Sequence, residues 1–168
     1  MTFLEAVAAA QQHLSEFLVV PDEACRELDE LCAAVEARAW GVTTWRGLRA
    51  LACYARDKRD CSFTAGGFWE WSANSGNPYS WTASDKKLAM SESETVRNNT
   101  KFWQARHLPI DHALEPSGRL HMEAHLKIAQ GGGHDVPRVY FHDDTGGVTG
   151  KIHIGFLGPH RLVPNGRA

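Results

Sequence analysis

The 168-residue sequence lacks most of the signatures that assign a chemistry directly. Its four cysteines, Cys25, Cys32, Cys53 and Cys61, form no C-x-x-C pair, which excludes a zinc ribbon or a thioredoxin-type centre built on that motif. Cys25 and Cys32 stand seven apart, a spacing that predicts small buried residues on one helical face, and free thiols fit a reducing compartment. No apolar run is long enough to span a bilayer. The opening Met1-Thr2-Phe3-Leu4-Glu5 carries an early acid and no basic region, unlike a signal peptide. A cytoplasmic location with no membrane association is the expectation. Basic residues are not in excess: the formal net charge is −2, so attraction to nucleic acid must come from a local patch. There is no G-x-S-x-G, and Gly131-Gly132-Gly133 lacks the Lys-Ser/Thr and the strand–loop–helix setting of a phosphate loop.

What is present is an ordinary globular composition, 43% hydrophobic and 23% charged, with length enough to bury a core. The period of the apolar residues divides the chain into a helical region over 1–62, an aromatic loop and helix connection over 63–105, and a sheet over 106–168, packed as one unit. Thr2 and Glu5 read as a capping box ahead of Phe3, Val7, Ala10, Leu14 and Phe17 at helical spacing. Pro21, Asp22 and Glu23 open a second predicted helix, whose stripe of Leu28, Leu31, Cys32, Val35 and Ala39 ends at Gly41 as a C-cap. Thr43 or Thr44 caps a third, carrying Leu48, Leu51, Ala52 and Ala55. Between Phe63 and Trp81, aromatics mix with turn residues in a predicted loop or short strand. Those rings either plug the gap between helices and sheet or, as Trp69 and Trp71, offer stacking platforms to bases. A fourth helix is expected from Ser84 to about Trp103.

From His107 the period becomes two. Leu108, Ile110 and Leu114 predict an edge strand containing Pro109. Leu120, Met122, Ala124, Leu126 and Ile128 alternate with His121, Glu123, His125 and Lys127 in one long strand. Val139 and Phe141 face away from Arg138, Tyr140 and His142, and Ile152, Ile154 and Phe156 away from Lys151 and His153. Short turn-rich links favour an antiparallel meander. The expected fold is α+β, with three to four N-terminal helices packed on a C-terminal antiparallel sheet of about four strands.

Eight of the nine histidines lie at or after His107. If the apolar stripes pack on the helices, the other face presents His121, Glu123, His125, Lys127, Arg138, Tyr140, His142 and His153, with His107, Asp111 and Lys151 beside them. Three chemistries fit such a face. The first is a nucleic-acid-directed phosphodiesterase, most naturally a metal-independent ribonuclease acting on RNA. His121, Glu123, His125 and His153 then supply base and acid, and Arg138 and Lys127 clamp the phosphate, with Tyr140, His142, Trp69 and Trp71 on the substrate. In general plan this resembles small ribonucleases of the barnase type, whose helices precede a sheet bearing His, Glu and Arg, although no stretch matches a motif of that family. The second is a non-catalytic module that binds a nucleotide, a nucleic acid or a partner protein. The third is a metal-dependent enzyme in which His121, Glu123 and His125 ligate Zn²⁺ or Fe²⁺ and His142 or His153 completes the set, against repulsion from Lys127 and Arg138. Ser117-Gly118-Arg119-Leu120-His121 is similar to the S-G-x-x-H stretch of primase-like polymerases, but Asp143-Asp144 sits in a turn signal where a Mg²⁺-holding acid pair fits poorly.

Overall fold

The computed structural model describes residues 1–130 and 135–166; the glycines 131–133, expected as a flexible connection, lie outside them. The chain folds as α+β, helices first and strands last. Helix α1 (Phe3–His13) begins at the expected capping box: Glu5 N donates to Thr2 Oγ1 at 3.1 Å and Thr2 N to Glu5 Oε2 at 2.8 Å. Phe17 falls beyond it, next to the two-residue strand β1 (Leu18–Val19). The expected second helix is instead a 3₁₀ turn (Asp22–Cys25) followed by α2 (Asp29–Cys32), and Cys32 is exposed rather than buried.

Helix α3 (Ala37–Arg59) runs straight through Gly41, the expected stop. A Cβ at Gly41 would lie 2.5 Å from the Met1 carbonyl oxygen, so this glycine serves a close crossing by the start of α1 rather than a cap. The aromatic stretch forms a short helix, α4 (Phe68–Asn74), not a loop or strand. The expected fourth helix is split into β2 (Leu88–Ala89), α5 (Glu94–Arg97) and α6 (Thr100–Gln104); Ser93 and Asn99 each cap a new turn with a side-chain oxygen.

The strands are β3 (His107–Pro109), β4 (Arg119–His121), β5 (His125–Lys127), β6 (Pro137–Asp143) and β7 (Ile152–Pro159). They build a five-stranded sheet in the order β1-β7-β6-β5-β2 and a separate two-stranded ribbon of β3 and β4. The main sheet is mixed, not antiparallel throughout, because β1 joins β7 in parallel, Leu18 opposite Ile152. The long strand expected from Leu120 to Ile128 is broken at 122–124, where Met122 N donates to Arg106 O and Phe141 N to Ala124 O, so β4 leaves the sheet.

One face of the sheet carries Leu126, Val139, Phe141, Ile152, Ile154 and Leu157 into a core shared with Phe3, Leu48, Leu51, Phe68 and Trp71. That core draws on all three stretches recognised in the sequence. Phe156, expected inward with Ile152 and Ile154, lies on the opposite face, because β7 slips register against β6 around Gly155. A Cβ on Gly155 would stand 3.0 Å from Leu108 Cβ and overlap the Met122 side chain, so the bulge admits the ribbon. A second cluster, Leu108, Ile110, Met122, Tyr140, Phe156 and Val163, fills the space beneath it. Among the described residues no helix is long and apolar enough to cross a membrane.

Candidate functional site

Register places His125 opposite Tyr140, Lys127 opposite Arg138 and His142 opposite His153, all on the face away from α3. That face is not open. The ribbon and α6 cover its centre, and the charges there are paired with each other. Arg106 is fully buried, its Nε 3.0 Å from Glu92 Oε1 in an ion pair whose angle is not that of a hydrogen bond. Its other nitrogens donate to the carbonyls of Phe102, Val163 and Pro164, at 2.9 to 3.0 Å. Tyr140 donates its hydroxyl to the same Glu92 oxygen at 2.9 Å, and His125 Nδ1 approaches that oxygen at 3.4 Å. The His125 ring stacks on Tyr140 with centroids 4.4 Å apart.

His125 Nδ1 also lies 2.8 Å from the Glu123 carbonyl, which only accepts, so the ring carries its proton on Nδ1. Burial pulls its pKa down to about 3; the hydrogen bond to the Glu123 carbonyl opposes this, and the charges of Arg138, Lys127 and Arg106 add to the lowering. An imidazole of that kind is neutral at pH 7 and has no proton of ordinary acidity to give a leaving group. It does have a consequence for stability. The unfolded chain binds a proton at His125 near the ordinary value of 6.5 and the folded chain does not, so stability falls as pH drops from about 6.5 toward 3. His125→Phe, which keeps a ring against Tyr140, is expected to flatten the decline between pH 6.5 and 5. Urea titrations at a series of pH values check this, and parallel curves for the two proteins would refute it.

His121 belongs to the ribbon, stacked on Trp103 at 3.5 Å between centroids, with both ring nitrogens buried and without a hydrogen-bond partner. Burial lowers its pKa despite the nearby Glu123 charge. Glu123 lies in the β4–β5 connection and accepts from Glu92 N and Arg97 Nε, both at 3.0 Å. Burial raises its pKa, but these two hydrogen bonds and the Arg97 charge prevail and hold it below the usual carboxylate range. His121, Glu123 and His125 thus do not line one strand. Among the described residues no group of three His, Cys, Asp or Glu is gathered as metal ligands would be.

His153 is buried at the other end of the sheet. Thr149 Oγ1 donates to Asp144 and so accepts from His153 Nε2 at 2.8 Å, a wiring that holds a turn and does not activate the hydroxyl. His142 faces it across β6 and β7. Arg138 turns Nη1 onto the carbonyls of Ala129 and Pro137 at 3.2 Å, with its buried Nε unpartnered, and Lys127 donates to Asp85 O at 2.7 Å. Trp71 is fully buried, stacked on Phe68 and donating to Asp57 Oδ2 at 2.8 Å; Trp69 packs half-buried against the same core.

A different surface gathers three cations that make no ion pair with a carboxylate among the described residues. Between α3 and the segment 78–87 lies a cleft of about 340 Å³ bordered by Thr43, Arg46, Arg49, Tyr79, Trp81 and Lys87. Among the described residues no carboxylate lines it. Arg46 and Arg49 reach it because they stand three apart on α3. The Arg49 guanidinium lies over the Tyr79 ring at 3.9 Å, and its buried Nε has no partner. Asn77 sets the turn that brings Tyr79 there, accepting from Tyr79 N at 2.9 Å. Trp81 forms the floor, its Nε1 bonded to Lys87 O at 2.9 Å. Gly47 lets α3 sit close, since a Cβ there would be 2.6 Å from Leu126 and 3.4 Å from the Trp81 ring.

No family model, curated protein or solved structure matches the chain. What it does must be read from its own surfaces. The cleft residues were partly visible in the sequence, as an Arg-x-x-Arg on a helix and the aromatic Tyr79-Ser80-Trp81. Glu92 and Arg106 gave no signal, because nothing local distinguishes a charged residue that tertiary packing will bury.

Proposed function

We propose that the protein is a non-catalytic binding module for nucleotide or nucleic-acid phosphate, and that the cleft between α3 and the segment 78–87 is its ligand site. The observation that carries this reading is a concave surface with three cations and no carboxylate on a chain whose net charge is −2. Its volume suits a small ligand. An arginine fork pairs two phosphate oxygens at once, and stacking on Tyr79 has already restricted the Arg49 side chain, which lowers the entropic cost of using it. The outer edge of Tyr79, which is 47% exposed, offers apolar surface to a sugar or base.

Titration calorimetry with AMP tests the reading, with inorganic phosphate as competitor. Arg49→Gln is expected to weaken AMP about 10- to 100-fold, the range for losing one or two charge-assisted hydrogen bonds. Binding that is absent, or equal in the two proteins, would sink the proposal. RNA incubated with the protein in EDTA stays intact on this reading. Cleavage that His121→Ala abolishes would replace it with the ribonuclease reading.

A further inference from the structure

His153 holds a polar atom that the turn beside it does not use. The residue is 4% exposed, and its Nε2 donates to Thr149 Oγ1 at 2.8 Å. Nδ1 therefore carries the lone pair of the neutral ring. It makes no hydrogen bond among the described residues and, unlike the two nitrogens of His121, is not sealed from solvent. Burial lowers the pKa of this histidine, with Asp144 and Asp111 opposing and His142 and Lys151 adding to the effect, so the ring is neutral at pH 7.

His153 lines a cavity of about 200 Å³ between the β1–β7 edge of the main sheet and the end of the ribbon. Val19, Pro21, Pro109 and Ile110 form apolar walls, and the two prolines bring no N–H. Ile110 N is already spent on Gly118 O at 3.0 Å. The remaining polar side chains are the carboxylates of Asp111 and Glu23, and among the described residues no lysine or arginine lines the cavity. Glu23 Oε1 is held by Arg119 at 3.4 Å and Arg26 at 3.8 Å. Asp111 has no such cation: its Oδ1 accepts from Ala113 N at 2.8 Å, which leaves Oδ2.

We infer that this cavity binds a small organic ammonium ion, held through its N–H groups by Asp111 and by Nδ1 of His153. The chemistry of the wall is one-sided. Its polar side chains accept and do not donate, and one of them carries an unneutralised negative charge, so the ligand must donate and be cationic. The apolar walls call for a carbon body. Among the described residues no group of three His, Cys, Asp or Glu is gathered as a bare metal ion would require. The volume lies below the roughly 300 Å³ at which pockets for drug-sized ligands begin, which limits the body to a short chain. The cavity shares no lining residue with the arginine cleft on α3 and is opposite to it in charge, so the two readings stand or fall separately.

Titration of n-butylammonium chloride into the ¹⁵N-labelled full chain at about pH 7, followed by NMR, tests the site, with n-butanol and ammonium chloride in parallel. Saturable shifts are expected at the Ile110 and Ile154 amides and at His153 Nδ1, with a Kd of about millimolar, within the ceiling for so small a ligand. Asp111→Asn keeps an oxygen for Ala113 N and removes only the charge; it should weaken n-butylammonium about fivefold. His153→Gln keeps a donor toward Thr149 and removes the lone pair, and should weaken it similarly. The uncharged n-butanol should also bind about fivefold more weakly. Absence of saturable shifts would overturn the site, as would equal binding of n-butanol and n-butylammonium. Unchanged affinity in folded Asp111→Asn would overturn it too. Ammonium chloride binding as tightly as n-butylammonium would overturn the organic ligand. Arg49→Gln is expected to bind n-butylammonium like the parent whatever becomes of AMP, and a loss there would overturn the separation of the two sites.

Discussion

Replacing Arg106 by alanine is expected to lower the free energy of unfolding by about 3–5 kcal/mol, the range for breaking a buried ion pair from one side. The size follows from what the guanidinium leaves behind. Glu92 would lose its cation in a site where its side chain is only 7% exposed, with Tyr140 as its remaining strong donor and His125 Nδ1 at 3.4 Å. The carbonyls of Phe102, Val163 and Pro164 would lose their donor as well. Urea denaturation checks this: the midpoint should fall with little change in slope. Changing both partners in Glu92→Leu/Arg106→Met should recover much of the loss, because apolar groups of similar volume carry no desolvation penalty. A loss below about 1 kcal/mol for Arg106→Ala would mean that water reaches the pair, as at exposed ion pairs.

Trp71→Ala is expected to cost about 3–5 kcal/mol, as for other buried large aromatics. The ring is fully buried between Phe68, at 5.7 Å between centroids, and Tyr54, at 5.9 Å. Its loss also removes a donor from Asp57. Trp71→Phe separates the two contributions, since it keeps the ring contacts and loses only the indole N–H; a cost of about 1–3 kcal/mol is expected for that bond to a carboxylate. AMP titration of both variants, below their unfolding transitions, should give the parent affinity, because Trp71 does not line the cleft. Weakened AMP binding in folded Trp71→Phe would restore Trp71 to the stacking role that its place in an aromatic stretch first suggests.

Alternation carried the sheet face well. His125, Lys127, Arg138 and Tyr140 share one face, as the period of two in both strands implies; their cross-strand register is set by the fold. Where alternation failed, the cause was a local break that costs the sequence pattern nothing. His121 keeps its phase with His125, yet the chain leaves the sheet at Met122, and at Gly155 one extra residue reverses Phe156. Strand β1 was hidden because Leu18 and Val19 continue an apolar helical stripe and are too short to alternate. Exposure was the larger obstacle at the site. Polar residues on a sheet read as solvent-facing, and only the ribbon folded over them turns His125 and Tyr140 into interior groups. The cleft depends on helix α3 meeting a turn thirty residues later, a juxtaposition that no short window contains.

The parallel pairing of β1 with β7 joins the beginning of the fold to its end. Synthesis makes α1, β1 and α3 first, yet the strand that anchors β1 is the last of the sheet to leave the ribosome. Helices α1 and α3 can pack on each other early, Phe3 against Trp40, but the sheet side of their core closes only when Ile152 and Ile154 arrive. Such late, long-range closure slows folding and lengthens the time during which a nascent chain depends on chaperones.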